Sequence, residues 1–238
     1  MKKDYLEGFK LGIAIGIGYF CVSFAFGMMV KNASLPTWVA FMISSTNLTS
    51  AGQFAGLNLI VQQAAYVELM LTTLIINLLY FIMSMSLNQK LDEKMSMIKK
   101  LILAFGVTDE IFAVSVTRST PVTLSYFLGV LTPSWIGWTL GTVSGALFSS
   151  ILPTVFADAM NIALYGMFVA IVLPQARNDK NKRMAVLLSV AMSCLFAYVP
   201  LLNGIGSGWT IIIITVIVSA FMAVMYPIKE ESHETSVD

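Results

Sequence analysis

Charge is scarce in this chain. Only 11% of its 238 residues are Asp, Glu, Lys or Arg, against 57% hydrophobic residues. A soluble domain of this length carries about twice that share of charge. The composition therefore excludes an ordinary soluble globule and points to an integral membrane protein. A net charge of +1 leaves no basic surface for nucleic acid. Histidine is scarcer still. The single one, His233, lies in a polar tail. A rhomboid-type hydrolase thus lacks its serine–histidine pair, and a membrane zinc protease lacks its ligands. An aspartyl intramembrane protease needs two aspartates and a glycine-flanked motif, a spacing that Gly106-Val107-Thr108-Asp109 does not have. No glycine-rich phosphate loop is present, which argues against ATP-driven transport by this chain alone. Cys21 and Cys194, far apart in apolar runs, make no disulfide framework and read as small packing residues. No enzymatic role, metal or cofactor is expected.

What is present is a succession of apolar runs. Eight can be marked by their polar punctuation, over 9–30, 38–60, 66–87, 100–117, 122–152, 159–174, 184–202 and 209–227. A helical span needs about 20 residues, and most of these qualify. The expected architecture is an all-α polytopic membrane protein, one transmembrane domain over 1–228 with a disordered polar tail over 229–238. Lys2 and Lys3 ahead of the first run resemble a signal peptide, but the run is too long for one and no small-residue cleavage site follows. It is expected to remain as the first helix.

Lys and Arg set the orientation. They cluster at the N-terminus (Lys2, Lys3, Lys10), in the third loop (Lys90, Lys94, Lys99, Lys100) and in the sixth (Arg177, Lys180, Lys182, Arg183), with Arg118 and Lys229 besides. If all eight runs cross, the third loop falls opposite the N-terminus. If the second and fourth enter and return on one side, every cluster lies inside and only Lys31 lies outside. Those two runs are also the polar ones. The second carries Ser44-Ser45-Thr46-Asn47-Leu48-Thr49-Ser50-Ala51-Gly52-Gln53 and the fourth Gly106-Val107-Thr108-Asp109-Glu110. Irregular backbone at membrane depth is tolerated where it faces protein or a water-filled cavity, and broken helices build transporter binding sites. Six full crossings plus two re-entrant or broken helices is the expected topology, with both termini cytoplasmic.

Asp109 and Glu110 carry the functional reading. An ionised acid at membrane depth costs roughly 2.5–3.5 kcal/mol even on the mildest insertion scale, and here two stand side by side. The alternative is that the run lies at an interface and both acids are in water. In a transporter, backbone N–H groups at a broken helix end would hold a cargo carboxylate, with Gly52 opening the backbone near Ser50 and Gln53. Asp109 or Glu110 would take the ammonium group, or carry protons for exchange coupling without histidine. Phe and Met, 15 of each, would wall an apolar cargo side chain. Thr108 and Gln53 would orient cargo, Gly106 would open the second break, and Asn77 would support the site from the third run or act as helix–helix glue. Glu68 reads as interfacial or cavity-lining, Asp158 as an N-cap, Pro133, Pro153 and Pro174 as bends or ends, and Trp135, Trp138 and Trp209 as interface anchors. Gly8, Gly12 and Gly16, like Gly137, Gly141 and Gly145, recur every fourth residue. Such stripes pack helices closely within a protein or receive a separate subunit. A channel for ions or small neutral solutes, and an assembly subunit with no pathway of its own, are the alternatives to a carrier.

Four stretches resemble the AzlC family, the large subunit of bacterial branched-chain amino acid exporters. They are Phe24-Ala25-Phe26-Gly27, Ser50-Ala51-Gly52-Gln53-Phe54, Ala104 through Ala113, and Trp138 through Ala146. They keep the family's order and spacing, although Gln53 follows Gly52 directly where the usual motif is one residue longer. Relatives commonly place an arginine and a histidine after the asparagine of the third run, at the positions of Leu79 and Tyr80 here. The resemblance implies export of hydrophobic amino acids, branched-chain or other small ones. It also implies a small four-helix membrane partner of the AzlD type. With the acids as proton carriers, export across the bacterial inner membrane driven by the proton gradient is the expectation.

Overall fold

A computed structural model of the chain describes residues 2–92, 95–151, 172–174, 176–202 and 204–227, with isolated positions between 155 and 169. The described residues are helical, with no strand beyond an isolated bridge between Leu91 and Val122. The helices are α1 (Lys2–Asn32), α2 (Thr37–Thr46), α3 (Ser50–Val61), α4 (Tyr66–Asn88), α5 (Met97–Phe105), α6 (Asp109–Val116), α7 (Leu124–Phe148), α8 (Lys180–Tyr198) and α9 (Ser207–Met225). By length and composition, α1, α4 and α9 can each cross a membrane. The chain divides into two compact units, Met1–Phe168 and Val169–Asp238.

The first unit is built on α1 and α7. Their glycine stripes pack on each other: a methyl group added at Gly12 would collide with the carbonyl of Val130, at Gly137 with that of Gly16, and at Gly145 with that of Phe24. Residue numbers rise together along the contact, so the two helices run parallel. Both grooves are thereby filled within the chain, which leaves neither stripe open for a separate subunit. Pro133 lies inside α7, which continues past it.

The second and fourth apolar runs are each two helices. The first pair, α2 and α3, breaks at residues 47–49. Hydroxyls of Ser45 and Thr46 bond back to the Met42 carbonyl and compete with helix continuation. Asn47 Oδ1 then accepts from the Thr49 N–H at 2.9 Å and its hydroxyl at 2.6 Å, an Asx turn. Ala40 of α2 and Phe54 and Leu57 of α3 cluster with Phe26 and Val30 towards the end of α1. Ser44, Ser45 and Gln53, near the break, meet α7 around its middle. The pair is a hairpin that starts and finishes at the C-terminal end of α1, with its tip midway down the unit.

From there α4 runs the full length back. Gly56 lies by Leu69 and Gly52 by Asn77, and beyond the helix Val122 N–H donates to the Lys90 carbonyl at 2.8 Å. The second hairpin, α5 and α6, comes from the opposite end. Its tip at residues 106–108 reaches Tyr19 midway along α1, and after α6 the chain returns to Asp4 and Glu7, which hold Arg118 at 3.2 and 3.0 Å. Arg118 also lies 4.2 Å over the Tyr126 ring. Burial pulls its guanidinium down, but hydrogen bonds and charge from Glu7 and Asp4 outweigh this, and the net direction is up. Lys3, Lys90 and Arg118 line one open cavity at this end.

In the second unit α8 and α9 pack together. Asp179 caps α8 by accepting from the N–H groups of Asn181 and Lys182. Asp158, Pro153, most of the sixth apolar run and the tail at 229–238 lie outside the described residues. Cys21 and Cys194 are exposed, not packed as their apolar surroundings predict: in a membrane protein an apolar run says nothing about which face is core. Glu68 is buried.

Candidate functional site

The two hairpin tips meet the α1–α7 pair at the same depth, and a chain of buried polar contacts joins them. On one side, Tyr19 Oη lies 2.6 Å from Thr108 Oγ1 and 2.5 Å from Glu110 Oε2. Its ring stands edge-on to Trp138 with centroids 5.3 Å apart. Trp138 Nε1 donates to Gln53 Oε1 at 2.9 Å, Gln53 Nε2 donates to Ser44 Oγ at 2.9 Å, and Ser44 meets Thr142 at 2.7 Å. Ser45 contributes its carbonyl to Trp135 Nε1 at 2.9 Å. Trp135 and Trp138, expected as interface anchors, are instead the polar stitching between α7 and the first hairpin. Trp138 is 2% exposed.

The helices that begin at the two tips differ in how their first turns are satisfied. At α6, Thr108 caps by accepting from the Ile111 N–H at 3.3 Å, and Asp109 and Glu110 stand in the first turn, where the helix dipole favours negative charge. Gly106 packs beside them against the side chains of Leu131 and Phe127, and a β-carbon there would sit 2.7 Å from Leu131, which would have to turn aside. At α3 no side chain caps the helix. The Thr49 hydroxyl is turned to Asn47, so the positive end of α3 faces out of its tip. Gly52 lets two side-chain oxygens close on that end: a β-carbon there would lie 2.6 Å from Thr49 Oγ1 and 3.2 Å from Asn77 Oδ1.

One face of α4 spans both tips. Asn77 stands by Gly52, and its Oδ1 is buried with no partner among the described residues. Tyr80 lies one turn on, and α4 also packs against α6, the helix that begins with Asp109 and Glu110. Residues three apart share a helix face and differ by about 4.5 Å along the axis. Leu79 points away and is exposed. Asp109 is half-buried and Glu110 exposed apart from its bonded oxygen. Thus Gly52, Gln53, Asn77, Gly106, Thr108, Asp109 and Glu110 are drawn to one level of the first unit. Ser44, Thr142, Trp138 and Tyr19 join them without having been expected in the site. Ser44 opens the polar stretch of the second run and Trp138 and Thr142 lie in the fourth of the quoted stretches, whereas Tyr19 carried no signal.

The family model described as AzlC protein matches residues 14–152, more than half of the chain and all of both hairpins. The chain belongs to the AzlC family. The AzlC match ends where the first unit's described helices end, just past α7. Among curated relatives, the inner membrane protein YgaZ of Escherichia coli K12 is 26% identical over 228 residues, covering 91% of each chain. An uncharacterized membrane protein of Archaeoglobus fulgidus is 28% identical over 184 residues, 76% of this chain and 80% of the relative. One of Helicobacter pylori J99 is 23% identical over 202 residues, 81% and 86%. No solved structure matches.

Gln53 tests how far the polar chain holds this AzlC site together. Gln53→Leu leaves the Trp138 N–H without an acceptor and Ser44 without its donor. An orphaned buried donor costs about 1–3 kcal/mol, or roughly 2–12 °C in melting temperature for a protein of this size. Thermal unfolding of the purified variant in detergent reads this directly, and an unchanged midpoint would show that the chain carries no stability.

Proposed function

We propose that this protein is the membrane subunit of an exporter of branched-chain or other small hydrophobic amino acids, coupled to the proton gradient. The observation that carries the reading is the pairing of opposite charges at the two tips. The uncapped positive end of α3 suits a carboxylate. The adjacent acids of α6 suit an ammonium group, and α4 packs against both α3 and α6. An α-amino acid carries both groups, and so suits a site with one of each at two neighbouring tips. Gln53 and Thr108 would orient cargo, with Gly52 and Gly106 keeping the two breaks open and Asn77 supporting the carboxylate side. The acid that holds cargo would take up a proton once the cargo has left.

The parallel α1 and α7, with hairpins from opposite ends, support a topology in which both hairpins are re-entrant and α1, α4 and α7 cross fully. Lys3, Lys90 and Arg118 share one end of the unit, which supports a cytoplasmic N-terminus, with Lys31 outside. The three remaining apolar runs would complete six crossings, and the bacterial cytoplasmic membrane is the expected location. A small AzlD-type membrane subunit is the proposed partner. Since both glycine stripes are occupied within the chain, it would dock elsewhere.

Efflux of preloaded leucine, isoleucine, valine and methionine from cells carrying the protein with its partner tests the reading. At least one of the four should leave faster than from vector controls, with saturation and counterflow. Unsaturated flux, or ohmic conductance in a bilayer, would mark a pore instead, and no efflux of any of the four would refute the cargo assignment.

A further inference from the structure

We propose that Tyr19 is a positioning residue that divides the work of the two acids, fixing Glu110 as the brace between the second hairpin and α1 and leaving Asp109 to meet cargo. The proposal rests on the exporter reading for what Asp109 meets, but not for the brace itself. Tyr19 is buried on the face of α1 that packs against α7, beside Trp138. It therefore sits on the most tightly packed pair of helices in the unit. A phenol has one proton to give. Glu110, the acceptor-only partner, takes it at 2.5 Å, and the hydroxyl of Thr108 closes the 2.6 Å contact while accepting from the Ile111 N–H. Every member of the group is satisfied in this arrangement, and Glu110 is tied by it to a helix that cannot move independently. Asp109 differs: it is half-buried and hydrogen-bonds no described side chain. Two neighbouring carboxylates of similar chemistry thus face unequal demands, and nothing in their adjacency alone distinguishes them.

The test separates brace from cargo site. In thermal unfolding of the purified protein, Tyr19→Phe and Glu110→Gln should each lower the midpoint by about 3 °C or more, and the double variant should fall no further than the worse single one. Asp109→Asn should leave the midpoint where it is. A carbodiimide, which modifies carboxyl groups, followed by peptide mapping, should mark Asp109 faster than the hydrogen-bonded Glu110 in the native protein, and Tyr19→Phe should open Glu110 to the label. Additive losses, or equal labelling of both acids in the native protein, overturn the proposal. The native labelling ratio decides the matter even if a variant does not reach the membrane. Failure of efflux with the brace signature intact would count against the cargo reading alone.

Discussion

Asp109→Asn should abolish export while leaving the protein folded and in the membrane. The substitution keeps the size of the side chain and removes the charge that would face an ammonium group. Removing one partner of a desolvated charge pair costs about 2–5 kcal/mol, equivalent to a fall of about 30-fold to several thousand-fold in transport efficiency. The loss should appear for every transported amino acid, because the ammonium group is common to all, whereas changes to apolar walls should reorder the cargoes. Initial efflux rates against internal concentration check it. Normal export by Asp109→Asn would falsify the central role of this carboxylate. Glu110→Gln, under the division of labour set by Tyr19, should retain export at a reduced level.

The second large effect is on stability. Gly145→Ala places a methyl group against the carbonyl oxygen of Phe24, backbone against which no side-chain rotation gives relief. Overpacking a close-packed core costs about 1–3 kcal/mol and sometimes more. Here both helices must part, and the cost should lie at or above the top of that range, a fall of about 6–12 °C in melting temperature. Gly18→Ala is the matched control on α1, because nothing beyond its own helix lies within 4 Å of the added carbon, and it should leave the midpoint unchanged or raise it slightly. The difference between the two alanines, measured side by side, isolates helix contact from the general effect of removing a glycine. Equal midpoints would mean that α1 and α7 do not touch at this stripe.

Both breaks were legible in the sequence because a helix cannot run through Asn47-Leu48-Thr49 or Gly106-Val107-Thr108 without losing polar groups that the Asx turn and the Thr108 cap satisfy better. The fourfold glycine spacing likewise identified a contact face. It could not identify the partner, because periodicity describes one helix at a time, and the mutual packing of the two stripes, in parallel, emerged only with the fold. Tyr19 and Trp138 escaped for a different reason. An aromatic in an apolar run reads as core, lipid contact or interface anchor, and the polar atom of each finds its partner 91 or 85 residues away. The exposure of Cys21 shows the same limit from the other side. Lipid and protein interior are both apolar, so hydropathy does not sort the faces of a spanning helix.

The parallel pairing of α1 with α7 has a consequence for how the protein is made. Ser134 reaches back 122 residues to the Gly12 carbonyl, and at about 5–20 residues per second that stretch takes on the order of ten seconds to synthesise. Throughout that interval the first helix waits in the bilayer with its bare backbone groove facing lipid, and the first hairpin waits without Trp138 and Thr142. Biogenesis therefore passes through a half-built intermediate whose polar tip has no permanent partner, and a membrane chaperone or insertase that shelters it has a defined window in which to act.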